Sequence, residues 1–501
     1  MKGIWTWSTA MIAAVASVPS WAEPPAISFT DLAWRYTHTS TATQVPAQTS
    51  EIPAYDEQTR TLWVAGVGGI DVLDAATGTF VEHIDTRALG GTNSVAISNG
   101  LAAIAVESTT RTAPGQVLFY DTRTRRPVDA NAAVTVGSLP DMVTFTPDGK
   151  TLLVANEGTP SVYGPRLPGG PPVRFGPAIG DPPGSVSIID VETRTLVKTV
   201  PLDGTPIVGA NVRRDTGMDF EPESIAVDRT GRRAYVTLQE ANAMAILDLR
   251  TRAFTQIVGL GSKDFAAPGN QLDPLDNGTV QFVSAPVRGL YMPDTIASYS
   301  WRGRTLLVMA NEGDFREDDG DRAAAGNAPL SAATPLNRLR VSTTDSTPGN
   351  LFTAGGRSFS IRDENGTLIY DSGDLLDKEA NARGIYNDAR SRDKGVEPEG
   401  VALLEANGRT FALIGLERTR KTSAVAPDVV QRGAVAVFDI TNPFAVRFLD
   451  MIVTVGDEEP EGLAVFKLRG EWFLAICNEL TRTTTVYRLL ARGKDREDGI
   501  R

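Results

Sequence analysis

Short apolar runs alternating with polar residues, separated by glycine-containing turns, repeat along almost the whole chain. In the last repeat Glu459, Pro460 and Glu461 open one run, Gly470 reverses it, and a second run stops at Asn478 and Glu479. The same order recurs upstream. Glu397-Pro398-Glu399 leads through Gly408 to Glu417, Glu221-Pro222-Glu223 through Gly231 to Glu240, Met292-Pro293-Asp294 through Gly303 to Asn311-Glu312, and Leu139-Pro140-Asp141 through Gly149 to Asn156-Glu157. A weaker copy runs from Asn93 through Gly100 to Glu107. Period-2 alternation predicts strands, and a glycine turn between two of them predicts an antiparallel hairpin. Third strands follow, as in Val186-Ser187-Ile188-Ile189-Asp190 and Val435-Ala436-Val437-Phe438-Asp439, and several repeats add a fourth.

Three or four antiparallel strands per repeat, at a period of roughly 40 to 60 residues, predict an all-β fold: a single β-propeller of about seven four-stranded blades. The blades start near residues 51, 92, 140, 222, 293, 398 and 460. The last repeat runs out after its third strand, while residues 27–36 read as a strand with no repeat of its own. That strand is expected to complete the last blade and close the ring, which removes an exposed edge. A pair of β-sandwiches is the other reading of so many strands, but it leaves the recurring acids unexplained. Long insertions interrupt the repeats at residues 159–184, 259–289 and 313–350, and loops of that length inside a compact domain are functional or disordered.

Composition changes this picture in three ways. Hydrophobic content of 41% and charged content of 22% are those of a protein with ample core, and 47 glycines with 31 prolines suit many turns. A formal charge of −12 argues against nucleic acid or an anionic membrane as partner and makes a cation the natural guest. At the N-terminus, Lys2, the apolar stretch from Trp5 to Val18 and Ser20-Trp21-Ala22 read as a signal peptide over residues 1–22, leaving 23–501 as the propeller domain. The chain is thus expected to be periplasmic or secreted and monomeric, with no membrane span in the mature protein. Cys477 is the only cysteine and lies in an apolar strand, so it reads as a buried thiol.

In a hairpin the start of the first strand lies beside the end of the second, and in a propeller both face one mouth of the central channel. Asp141, Glu157, Glu221, Glu223, Glu240, Asp294, Glu312, Asp314, Glu397, Glu399, Glu417, Glu459, Glu461 and Glu479 are therefore expected to ring that mouth as candidate metal ligands. Carboxylates a few ångström apart repel by several kcal/mol at an effective dielectric near 20, so protons, arginines or cations must intervene. All-oxygen donors favour calcium, magnesium or manganese. The acids could instead hold turns by bonding local amides. The run Gly313-Asp314-Phe315-Arg316-Glu317-Asp318-Asp319-Gly320-Asp321 lacks EF-hand spacing and is a weak calcium-loop signal. Arg418, after Glu417, and Arg316 are candidate catalytic cations that could bind a phosphate or simply neutralise the ring. With only two histidines, His38 and His83, both away from the repeat ends, a Ser-His-Asp triad and a His/Cys zinc site are disfavoured.

Several longer runs carry a family resemblance. Tyr291-Met292-Pro293-Asp294-Thr295-Ile296-Ala297, Ala310-Asn311-Glu312-Gly313-Asp314, Gly355-Gly356-Arg357-Ser358-Phe359-Ser360-Ile361, Tyr370-Asp371-Ser372-Gly373, Asp393-Lys394-Gly395-Val396-Glu397-Pro398-Glu399-Gly400 and Gly415-Leu416-Glu417-Arg418 resemble the choice-of-anchor I family, also described as mesenchyme-specific cell-surface glycoprotein-like. The resemblance implies an exported β-propeller; some bacterial relatives carry alkaline phosphatase labels. Joined to the acid ring, it leads to the expectation of an exported divalent-metal-dependent phosphoesterase, with calcium the first metal and a small phosphorylated compound the substrate. The alternative is a non-enzymatic binding or adhesion propeller that uses structural calcium and presents loops to a surface protein or glycan.

Overall fold

The computed structural model describes residues 27–39, 48–130, 132–420 and 432–491. The expected signal peptide at 1–22 and the charged tail at 492–501 lie outside the described residues. Among those described, no helix is long and apolar enough to cross a membrane.

Seven sheets of four or five strands form the blades of a β-propeller. Their innermost strands are Pro53–Asp56, Thr92–Ser98, Pro140–Phe145, Ile225–Val227, Ile296–Trp301, Pro398–Ala406 and Pro460–Leu468. Each pairs antiparallel with the second strand of its blade. Second strands such as Thr61–Gly66 are buried throughout, because blades pack against them on both faces. Outer strands such as Thr195–Pro201 are mostly exposed, and this is why their apolar signal is weak. Seven apolar clusters each join two neighbouring blades; Leu153, Val186, Val236 and Leu247, for example, lock the third blade to the fourth.

The ring closes with the N-terminal strand. Ile27–Thr37 pairs antiparallel with Thr483–Ala491, placing Trp34 opposite Val486. The Trp34 Nε1–H donates to the Ala75 carbonyl at 3.0 Å, tying the last blade to the first. Both histidines meet at this seam on one carboxylate: His38 Nδ1 and His83 Nδ1 each lie 2.7 Å from an oxygen of Asp71. His38 Nε2 is 2.8 Å from Thr484 Oγ1. This hydroxyl–histidine–aspartate order has triad geometry, yet His38 and Thr484 are fully buried, so it acts as a lock on the seam. Cys477 is buried there too, 3.7 Å from the same hydroxyl, and burial pushes its thiol up to about 12.

The insertions are more ordered than the sequence suggested. Residues 159–184 fold back through bridges between Val162 and Ile179 and between Arg166 and Phe175. Ser262–Asp264, Val287–Leu290 and Leu351–Thr353 form a small sheet, and Arg322–Ala324 pairs with Arg340–Ser342. These pieces share a core around Phe265, Val287, Leu339 and Leu351. An α-helix, Leu375–Ala382, seats Leu376 and Ala380 against the fifth and sixth blades. The fourth blade gains a fifth strand, Ile207–Ala210, parallel to Ala253–Leu260, which alternation alone did not indicate.

Candidate metal centre at the propeller mouth

The repeated acid–proline–acid opening has one local geometry. The amide after the second strand returns to the carbonyl just before the proline: Glu157 N to Leu139 O at 2.9 Å, Gly313 N to Met292 O at 3.0 Å, Glu417 N to Glu397 O at 2.9 Å and Glu479 N to Glu459 O at 2.8 Å. The residue before each proline is left-handed, with φ of 47° at Leu139, 44° at Met292, 53° at Glu397 and 61° at Glu459. For non-glycine residues this costs on the order of 1–3 kcal/mol each. The ladder is interrupted just beyond, between Pro140 and Val143, Pro398 and Val401, and Pro460 and Leu463. Bulges of this kind re-aim side chains. Here the residues within them are Asp141, Glu399 and Glu461, all of which line the cavity at the mouth. A glycine follows two of them. A Cβ on Gly400 would sit 2.3 Å from Glu461 O, and one on Gly462 would sit 2.2 Å from Glu51 O. Their absence lets neighbouring inner strands close around the axis.

The mouth holds a cavity of about 370 Å³. It is lined by all the candidate acids except Glu397, Glu459 and Glu479. A channel of about 460 Å³ shares Asp141, Asp294 and Glu461 with it, and Glu479 and Glu51 line that channel. Glu397 is fully buried, gripped by Arg390 Nε at 2.6 Å, Arg390 Nη2 at 3.0 Å and Lys394 Nζ at 3.0 Å. Glu459 accepts from Arg418. Two overlapping trios bring one oxygen per residue within 4.8 Å of one another: Asp294, Glu312 and Glu399, and Glu312, Glu397 and Glu417.

Cations already serve the second trio. Lys394 Nζ bonds Glu312, and Arg418 Nη2 lies 2.5 Å from Glu417. Gln239 Nε2 donates to Glu312 at 2.9 Å. Elsewhere compensation is missing: Glu221 Oε1, Glu240 Oε2 and Glu399 Oε2 are buried without a hydrogen-bond partner. Burial, and after it the charges of Glu417 and Glu461, push the Glu399 carboxyl well above the usual range. Burial followed by neighbouring acids does the same to Asp141, Glu221, Glu223, Glu240, Glu417 and Glu461. Glu157 and Asp294 rise to about 7, burial again leading. Glu397 is the exception: burial opposes its charge, but Lys394 and Arg390 outweigh it and hold the carboxyl low. Orphaned oxygens and an all-carboxylate donor set fit a hard divalent cation.

Arg316 lines the cavity, but its guanidinium is committed elsewhere. It donates to Thr216 O at 3.0 Å, Gly164 O at 3.1 Å and Asp318 at 3.0 Å, and stacks 4.0 Å from the Phe175 ring centroid. It therefore pins two insertions together. The acidic run around it is ion-paired rather than a calcium loop. Asp321 is fully buried against Arg213 at 2.5 Å, and Asp319 meets Arg322 at 2.6 Å. Only Asp314 and Glu317 of the run's acids line the cavity. The ring reading passed over Gln239, which binds Glu312, Tyr163 from the first insertion and Met218 from the segment before the fourth blade's inner strand. Lys394, legible as one of the cations that precede Glu397, neutralises Glu312 and Glu397; Tyr163 and Met218 had no signal.

The fold has relatives among solved structures. Hydrazine synthase of Kuenenia stuttgartiensis superposes with a TM-score of 0.50 at 11% identity, covering 91% of this chain and 99% of that one. The β-propeller domain of Myceliophteria thermophila Cps50 (Swd1) gives 0.44 at 11% identity, covering 88% and 97%. At such identity these similarities concern architecture alone. No curated protein matches the sequence. A family model does, over residues 51–443, a span that takes in every acid of the cavity except Glu461. The chain belongs to the choice-of-anchor I domain family.

Proposed function

We propose that this protein is an exported phosphoesterase dependent on a divalent metal, calcium in the first instance, acting on small phosphomonoesters at the propeller mouth. The observation that carries this reading is the Asp294–Glu312–Glu399 trio, three carboxylates within 4.8 Å with one buried oxygen left unpartnered. Glu417 adjoins it through the shared Glu312. A cation held there would polarise a phosphoryl group and acidify a bound water. The chain's own groups supply the rest. Arg418, anchored by Glu417 and Glu459, lines the cavity, where its guanidinium would meet a phosphoryl oxygen. Burial, and after it the charges of Asp314 and Glu157, push the Glu240 carboxyl well above its usual range, which suits it to donate a proton to a leaving oxygen. The aromatic rings of Tyr163 and Phe315 also line the cavity.

A binding propeller with a structural cation is the second reading, favoured by the ammonium and guanidinium groups that already brace Glu397 into the rim. Metal analysis after dialysis and hydrolysis of p-nitrophenyl phosphate, with chelator and with calcium restored, decide between them. The phosphoesterase reading expects calcium-dependent turnover that falls by roughly two orders of magnitude in Glu312→Gln and Glu417→Gln. Stoichiometric calcium without turnover favours the binding reading. If no metal is retained and calcium leaves the melting temperature unchanged, neither reading stands.

A further inference from the structure

A second candidate site lies on the opposite face of the propeller, and its chemistry is reversed. There the turn between third and fourth strands has a repeated form. Asp74, Asp121, Asp190 and Asp248 each accept from the amide and hydroxyl of a threonine three residues on, namely Thr77, Thr124, Thr193 and Thr251. In the second, third and fourth blades an arginine comes next: Arg125, Arg194 and Arg252, with φ of 55°, 52° and 53°. In two of the three this arginine reaches an acid on the preceding blade side. Arg125 Nε donates to Glu82 at 2.6 Å, and Arg194 bonds Asp129.

At the junction of the third and fourth blades the latch is inverted. Glu82 lies opposite Val72, two residues before Asp74, while Lys198 lies opposite Ile188, two residues before Asp190. Lys198 thus takes the register position of Glu82, and its Nζ donates to the Arg252 carbonyl at 2.7 Å. Arg252 thus lacks an acid at the position where Arg125 meets Glu82. Beside it is a cavity of about 490 Å³ that also takes in Arg229, Arg232 and Arg250. All four are exposed, and among the described residues none of their side chains makes an ion pair or hydrogen bond. The two acids lining the cavity are tied into turns, Asp148 to Thr146 and Lys150 N, and Asp190 to Thr193. The size suits a small ligand. Four guanidinium groups around one hollow, in a chain of charge −12, suit phosphate groups held bidentately.

We propose that this cleft between the third and fourth blades binds phosphate groups, presented together by a free oligophosphate or singly by the headgroups of an anionic lipid surface. Inorganic tripolyphosphate, titrated calorimetrically into the full protein with chelator present, is expected to bind, and to bind more weakly as salt rises. Arg232→Ala with Arg250→Ala should weaken binding at least about tenfold, the loss of charge-assisted hydrogen bonds, with an unchanged melting temperature. Glu312→Gln with Glu417→Gln should leave it intact, which separates this cleft from the mouth. Vesicles of phosphatidylglycerol, against phosphatidylcholine, then identify the source. Retention on the anionic vesicles alone, reversed by tripolyphosphate, assigns a headgroup; tripolyphosphate binding without retention assigns a free ligand. Absence of both, or equal affinity in the arginine variant, overturns the proposal.

Discussion

Lys394 shows how one side chain sets the character of the mouth. Its ammonium is buried between Glu312 and Glu397; burial works against its charge, but those two carboxylates outweigh that and raise its pKa well above the usual range. Removing one partner of a buried ion pair leaves the other uncompensated, at a cost of about 3–5 kcal/mol. Lys394→Met should therefore lose about that much stability in urea unfolding with chelator present. The same change removes a competitor from the Glu312–Glu397–Glu417 trio, so calcium should restore most of the loss. An equal deficit with and without calcium would mean that the trio does not take a cation. Arg316 makes the converse point, since a guanidinium in an acidic run reads as a site residue until its backbone acceptors, Gly164 and Thr216, are brought to it by distant segments.

Among elements, the inner strands do the positioning. Gly462 has no positive φ, and its role is space: the Glu51 carbonyl and Pro53 Cδ of the first blade would lie 2.2 and 2.7 Å from an added Cβ. Gly462→Ala should force the last and first blades apart, costing about 1–3 kcal/mol and weakening calcium binding together. Gly470→Ala is the control. Its φ of 87° demands glycine, but open space surrounds it, so stability should fall by about 1 kcal/mol while calcium affinity holds. Thermal unfolding and isothermal titration on both variants check this; equal affinity in the two would separate blade spacing from cation binding. Both hairpin edges and blade starts were legible in the chain because alternation and turn glycines are local signals. The ordered insertions were not, because their strands are short and their core around Phe265 and Leu351 joins segments far apart in sequence.

For the whole molecule, a ring of buried acids links stability to pH. Glu51, Glu157 and Asp294 are raised to about 7, burial being the main cause. A carboxyl raised in the folded state binds more protons there than unfolded, so its contribution is full below the unfolded pKa near 4 and is lost as pH rises through about 7. The metal-free protein should thus melt at falling temperature between about pH 4.5 and pH 8. Calcium bound in place of those protons, as the proposed function requires, should flatten or reverse the trend. Melting curves across that range, with chelator and with calcium, test it; a metal-free protein most stable at pH 8 would mean that the acids are compensated in another way.

By itself the sequence determined the propeller, its seven repeats, the N-terminal strand that closes it and the edge on which the acids gather. These follow from period-2 burial, turn glycines and the antiparallel rule, all of which act within a single hairpin or between adjacent ones. Only the tertiary structure decided which carboxylates come within 4.8 Å, which are neutralised by Lys394, Arg390 and Arg418, and which arginines are consumed by backbone carbonyls. Those outcomes depend on distances between blades and insertions that no local pattern encodes. The charge of a site is local chemistry, but its compensation is set by packing.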